Sequence, residues 1–176
     1  MSRRRIGILV FDGAEELDWA GPWEVLAAWS QQFPDDGVRV FTLARENKTI
    51  TCAKGLRVLP DETWETAPSM DVLVYPGGMG TRQELADEAV LDWMRGVAGE
   101  GVVASVCTGS LELLPTLGRD IEVRPEDRFV DTGEVITAAG VSAGIDMALH
   151  LVARLHSEER AREVRRYIQY DPEPPV

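Results

Sequence analysis

Four stretches of the chain are apolar almost without a break and rich in β-branched residues: 5–11 (RIGILVF), 38–44 (VRVFTLA), 70–75 (MDVLVY) and 101–106 (GVVASV). Such runs predict strands covered on both faces, as in a parallel sheet. Between them the spacing turns helical. Gly21-Pro22 opens a helix in which Trp23, Leu26, Ala27 and Ser30 share one side. Residues 84–100 carry one or two helices with Val90, Leu91, Met94 and Val97 as the apolar stripe. From Val141 the chain is strongly helical, and Ser157, followed by Glu158 and Glu159, starts a new helix. Residues 49–52 and 56–59 predict a small hairpin about Ala53-Lys54-Gly55. Short strands are predicted over 121–123, 129–130 and 134–138, the last two joined by Asp131-Thr132-Gly133, and residues 171–176 (DPEPPV) end the final helix.

Strands alternating with helices predict an α/β domain, a mainly parallel sheet with helices on both faces. Ligand sites in such sheets lie beyond the C-terminal strand ends. The segments to inspect are therefore Asp12-Gly13, Pro76-Gly77-Gly78 and Cys107-Thr108-Gly109. A length of 176 residues suits one domain, 1–176, with no repeat or linker. Eighteen Lys+Arg against 30 Asp+Glu give a net charge of −12, which repels phosphate backbones and argues against nucleic acid as a partner. No apolar run approaches the ~20 residues of a membrane span. The apolar run after Arg3-Arg4-Arg5 is too short for a secretory signal and ends at Asp12. The two cysteines, Cys52 and Cys107, form neither a disulfide framework nor a CxxC metal pair, so a reducing, cytoplasmic location with free thiols is expected.

Cys107 is the most informative residue. It stands where a buried strand ends and small residues start a helix, a nucleophile-elbow arrangement with sulfur in place of oxygen. The N–H groups of the helix start favour the thiolate. The competing reading is a buried packing cysteine, which is also the reading for Cys52. Gly77 and Gly78 let backbone N–H groups approach a ligand and, with the Thr108 N–H, hold negative charge developing on a substrate, or else form a plain turn. In the acidic loop 15–22, one carboxylate packed near the cysteine relays protons. Asp18 is the candidate, with capping of the Pro22 helix as its alternative. His150 and His156 follow no strand and do not share a helical face, so neither a metal site nor a Cys-His dyad is expected. Trp19 and Trp23 lie near enough to the acidic loop to line a pocket.

Taken together, RIGILVFDG, LDWAGPWEVL, DVLVYPGG, VVASVCTGS, ITAAGVSAGIDMALHLVARL and IQYDPEPPV resemble the DJ-1/PfpI superfamily, and within it the isonitrile hydratase-like branch, over nearly the whole chain. The resemblance implies a flavodoxin-like three-layer sandwich and a homodimer. It implies a lyase without metal or organic cofactor that converts isonitriles to N-substituted formamides. Cys107 is then the nucleophile, Asp18 its carboxylate partner, and Thr108 the neighbour that supports hydration, with Gly77 and Gly78 at the substrate. Thr108 stands where branches with peptidase-like or deglycase-like activity commonly carry histidine. Two alternatives remain: a non-catalytic ligand-binding or redox-sensing protein, and glyoxalase- or amidase-like chemistry on another small electrophile. The sequence departs from the family after Ser110. Relatives continue there through an alanine-rich helix, a turn and a strand with Thr-His-Trp, and that passage is missing between Ser110 and Leu111. It is a segment left out of the chain, a natural deletion, or a segment replaced by Leu111-Glu112-Leu113-Leu114. The first is favoured because loss of a central helix exposes much apolar surface.

Overall fold

In chain order the elements are β1 (Arg4–Leu9), α1 (Glu16–Gln32), β2 (Val38–Ala44), β3 (Ile50–Thr51), β4 (Arg57–Val58), β5 (Glu62–Thr63), β6 (Val72–Tyr75), α2 (Thr81–Leu85), α3 (Glu88–Glu100), β7 (Val102–Val106), α4 (Thr108–Thr116), β8 (Phe129–Asp131), β9 (Val135–Ala138), α5 (Ala143–Leu155) and α6 (Glu158–Tyr167). The computed structural model describes residues 3–116 and 127–171. The four apolar runs lie side by side with β9. Seven strands pair in the order β5-β2-β1-β6-β7-β9-β8, all parallel except the β8–β9 pair. Val72, Leu73 and Val74 are consecutive and each 0% exposed, so both faces of β6 are covered. Each such aliphatic side chain contributes about 1.5–3 kcal/mol by leaving water.

The crossover from β1 through α1 to β2 runs one way along the sheet, and those from β6 to β7 and from β7 to β9 run the other. With right-handed crossovers, these sets of helices fall on opposite faces. Accordingly α1 packs with α5 and α6, while α2 packs with α3 and α4. This is the flavodoxin-like α/β arrangement. Its two directions diverge between β1 and β6, and the loops at their C-terminal ends build the site.

Several elements differ from the sequence expectation. Helix α1 starts at Glu16, not at Pro22, which lies inside it. Glu16 and Asp18 in the first turn favour a helix start, since carboxylates there meet the positive end of the helix dipole. Pro22 has no N–H for the carbonyl four residues back, but its ring packs against Gly144 of α5, where an added Cβ would sit 3.1 Å from Pro22 Cγ. Asp18 is thus a residue of the helix and not its cap. Residues 84–100 divide into α2 and α3 because Asp87 caps α3, its side chain accepting from the Ala89 N–H at 2.9 Å. Strand β5 carries no apolar run and is held by its register with Leu43 and Ala44 and by the Arg39–Glu62 ion pair at 2.6 Å. Helix α4 runs unbroken across Ser110 and Leu111, with Leu113 fully buried and Leu111 exposed. The strand expected over 121–123 and the tail beyond Asp171 lie outside the described residues.

Both histidines serve packing. His150 Nε2 lies 2.7 Å from Asp131, fastening β8 to α5. His156 lies 3.2 Å from Asp36, which also accepts from Trp29 Nε1 at 2.6 Å and Arg160 Nε at 2.7 Å. Burial alone would raise the Asp36 pKa, but the donors from Trp29 and Arg160 hold it below the usual carboxylate range. Among the described residues no helix is long and apolar enough to cross a membrane.

Candidate functional site

Cys107 stands between the last residue of β7 and the first of α4 with φ 57°, in the left-handed region. For a side-chain-bearing residue this costs on the order of 1–2 kcal/mol. Two backbone hydrogen bonds hold it there: the Cys107 N–H donates to the Ala138 carbonyl at 3.0 Å, and its own carbonyl accepts from the Ser110 N–H at 3.0 Å. Beneath it Ser105 Oγ donates to Ser110 Oγ at 3.0 Å, joining the end of β7 to the first turn of α4. The thiol is partly exposed, and the N–H groups that begin at Thr108 are those a helix leaves without internal acceptors.

The loops after β1 and β6 close on each other across the strand divergence. Ala14 and Gly78 form an isolated antiparallel bridge, Glu15 N–H donates to the Gly77 carbonyl at 2.9 Å, and Gly80 N–H donates to the Gly13 carbonyl at 3.1 Å. Glycine is required at both turn positions. Gly78 has φ 125°, and an added Cβ would strike the backbone of Glu15 and Gly13. A Cβ on Gly77 would lie 2.5 Å from Thr108 Oγ1 and 3.0 Å from Asp18 Oδ2.

That close approach defines what the two glycine amides do. Gly77 N–H donates to Asp18 Oδ2 at 3.0 Å, and Gly78 N–H donates to Thr108 Oγ1 at 2.9 Å. Both amides are therefore engaged by side chains of the site instead of opening toward a ligand. Asp18, from the first turn of α1, is 0% exposed, and its Oδ1 is buried without a hydrogen-bond partner. Burial pushes its pKa up to about 6 against the Gly77 N–H, which favours the charged form; Glu15 adds to the rise and Lys54 opposes it. Asp18, Gly77, Gly78, Thr108 and Cys107 thus form one connected patch at the sheet edge. The buried carboxyl and the first residue of α4 thus meet the same double-glycine turn.

Sequence reasoning missed two features. One is an apolar rim on the four segments that meet here: Leu17 on α1, Met79 after Gly78, Leu111 on α4 and Val141 after β9 are all exposed. Val141 also has φ 24°, strained for a β-branched residue. The other is the latch of the β3–β4 hairpin on the acidic loop, where Lys54 pairs with Glu15 and donates its own N–H to Glu16 Oε1 at 2.6 Å. No local signal announces either, since each depends on segments remote in the chain. Trp19 is buried and Cys52 is buried in the hairpin, where burial pushes its thiol pKa up, in line with a packing role.

The family model of the DJ-1/PfpI family matches residues 4–121. The chain is 35% identical to the isonitrile hydratase of Pseudomonas putida over 192 aligned positions, covering 97% of this chain and 80% of that protein. The alignment is about twenty positions longer than the stretch of this chain that it uses, so the relative carries extra residues inside the matched region. The chain is 26% identical to the HTH-type transcriptional regulator GbdR of Pseudomonas aeruginosa, covering 94% of this chain and 50% of the regulator. Among solved structures, a ThiJ/PfpI family protein from Pseudomonas syringae superimposes with a TM-score of 0.87 at 28% identity, covering 100% of this chain and 78% of that one. With an elbow cysteine, a buried carboxyl and a double-glycine turn on this fold, the chain belongs to the DJ-1/PfpI family.

Proposed function

We propose that the protein is a cysteine-dependent hydratase that converts isonitriles to N-substituted formamides. The observation that carries this reading is an elbow cysteine beside the double-glycine turn that also holds a wholly buried carboxyl whose Oδ1 has no partner. The 35% identity to an isonitrile hydratase supports the substrate class. The Cys107 thiolate adds to the terminal isonitrile carbon, and Asp18 delivers a proton to that carbon through Oδ1, giving a thioimidate. Water adds to the thioimidate carbon, one of its protons passing to the nitrogen and the other back to Asp18; the carbon–sulfur bond then breaks and the formamide leaves with the thiolate restored. Thr108 and the free N–H groups of the α4 start hold the charge that develops. Gly77 and Gly78 act one step back, by locking Asp18 and Thr108 in place. No step calls for a metal or an organic cofactor.

The test is turnover of a panel of aryl and alkyl isonitriles and glyoxals, with Cys107→Ala as control. Hydration of an isonitrile by the wild type and its loss in a folded Cys107→Ala support the reading; undiminished hydration by the variant overturns it. The extra residues of the P. putida relative belong, in this reading, between Ser110 and Leu111. The active species is a homodimer, measurable by sedimentation. The similarity to half of a transcriptional regulator favours a second reading, a ligand-binding or redox-sensing protein. Selective peroxide oxidation at Cys107 with no turnover of any panel member marks that outcome.

A further inference from the structure

Glu15 joins three segments at one point. Its N–H donates to the Gly77 carbonyl at 2.9 Å, and its carbonyl accepts from the Asp18 N–H at 3.2 Å. Its carboxylate pairs with Lys54 Nζ at the tip of the β3–β4 hairpin. The hairpin is fastened beside it, with Ala53 N–H on the Ala14 carbonyl at 2.8 Å and Lys54 N–H on Glu16 Oε1 at 2.6 Å. The ion pair is therefore built on the residue whose N–H and carbonyl bond Gly77 and Asp18, and Gly77 in turn donates to the buried Asp18 carboxylate. The Glu15 side chain is 20% exposed and that of Lys54 is 66% exposed, so the pair belongs to the surface while Asp18 does not.

We propose that Glu15 and Lys54 are positioning residues that set, with opposite signs, the pH at which Asp18 releases its proton. The inference deepens the reading of Asp18 as the group that moves the proton. The physical basis is direct. A carboxylate beside a buried carboxyl disfavours its ionisation, and an ammonium favours it. Glu15, the residue before α1, raises the Asp18 pKa and Lys54 of the hairpin lowers it, while Glu16 is drawn to the hairpin, with Oε1 on the Lys54 N–H and Oε2 3.7 Å from Lys54 Nζ. From the loop after β6 the Gly77 N–H donates to it, and the uncharged Thr108 hydroxyl lies close to the same glycine turn, accepting from the Gly78 N–H. Lys54 loss removes the cation that opposes Glu15, and Glu15 loss leaves the ammonium with Glu16 Oε2, 3.7 Å away, as its remaining anion. The pair thus gives the site a setting that is changed from outside without touching Cys107, Thr108 or Asp18.

The test uses the carboxyl carbon resonance of Asp18, assigned by its loss in Asp18→Asn and titrated in the wild type, Glu15→Gln, Lys54→Met and the double variant. Turnover is not required, so failure here is separable from failure of the hydratase reading. The expected result is a lower midpoint in Glu15→Gln and a higher one in Lys54→Met, each by about half a pH unit. The double variant returns toward the wild type. Lys54→Met, at an exposed side chain, keeps the test open if Glu15→Gln fails to fold. A purely structural latch moves both midpoints in the same direction or neither of them, and either outcome overturns the proposal.

Discussion

Asp18→Asn gives a sharp test of the burial argument, because the site chemistry becomes a stability measurement. The side chain is 0% exposed, and its pKa is pushed up to about 6 from an ordinary 3.8. Between these values the unfolded chain has lost the proton and the folded one keeps it. Stability then falls as pH rises, by about 1.4 kcal/mol per unit, and the loss is complete above about pH 7. Over roughly two units the cost of holding this carboxylate inside amounts to about 3 kcal/mol. Asn has similar shape, its amide oxygen can accept from the Gly77 N–H, and it does not titrate. Subtracting the two unfolding curves removes the other carboxyl groups of the protein, several of which favour the folded state as pH rises. Urea unfolding of both proteins from pH 4 to pH 8 should show Asp18→Asn gaining on the wild type by about 2.5 kcal/mol, a melting difference of about 5–10 °C. Most of that change falls between pH 4 and pH 6. A difference curve that is flat, or that slopes the other way as for an ion-paired carboxylate, refutes the argument.

Gly78→Ala should destabilise by about 3 kcal/mol, since it combines positive φ with a Cβ driven into the backbone of the Ala14 bridge, and turnover should fall with the loss of the Thr108 contact. Gly133→Ala, at φ 100° with nothing within 4 Å, should cost only about 1 kcal/mol, and equal thermal shifts for the two would discount the steric account. Asp36→Asn leaves the Arg160 guanidinium and Trp29 N–H short of a charged partner at a side chain 7% exposed, with an expected loss of about 2–4 kcal/mol at pH 7. The Asp36 pKa is lowered in the folded state, so its contribution is full above the ordinary carboxylate range and is lost as pH falls below it; the two proteins should converge in denaturation at low pH.

The residues of the site were unequally legible in the chain. Cys107 was readable because its signal is local: a buried strand, then small residues opening a helix, dictates an elbow whatever the rest of the fold does. Gly77 and Gly78 were readable as a turn that admits a close neighbour, but not the neighbour itself. The helix start was misplaced at Pro22 because proline favours a first turn, and the compensating contact with Gly144 lies 122 positions along the chain. Strand β5 was missed because Glu62 and Thr63 carry no apolar pattern and pair only by lying beside β2.

The sequence by itself determined the order of the apolar strands and the main helices, the parallel sheet and the position of the elbow cysteine. Each follows from runs of apolar residues that must be covered and from the residue at the end of such a run. Only the tertiary structure decided which carboxylate of the acidic loop is buried. Glu15 and Glu16 find Lys54 at the surface, while Asp18 turns inward to the Gly77 amide 59 residues away, and Thr108 takes the Gly78 amide 30 residues away. Those partners are set by how two loops cross at the sheet edge, and a hydrogen bond or a desolvated charge depends on distance in space, which no pattern along the chain records.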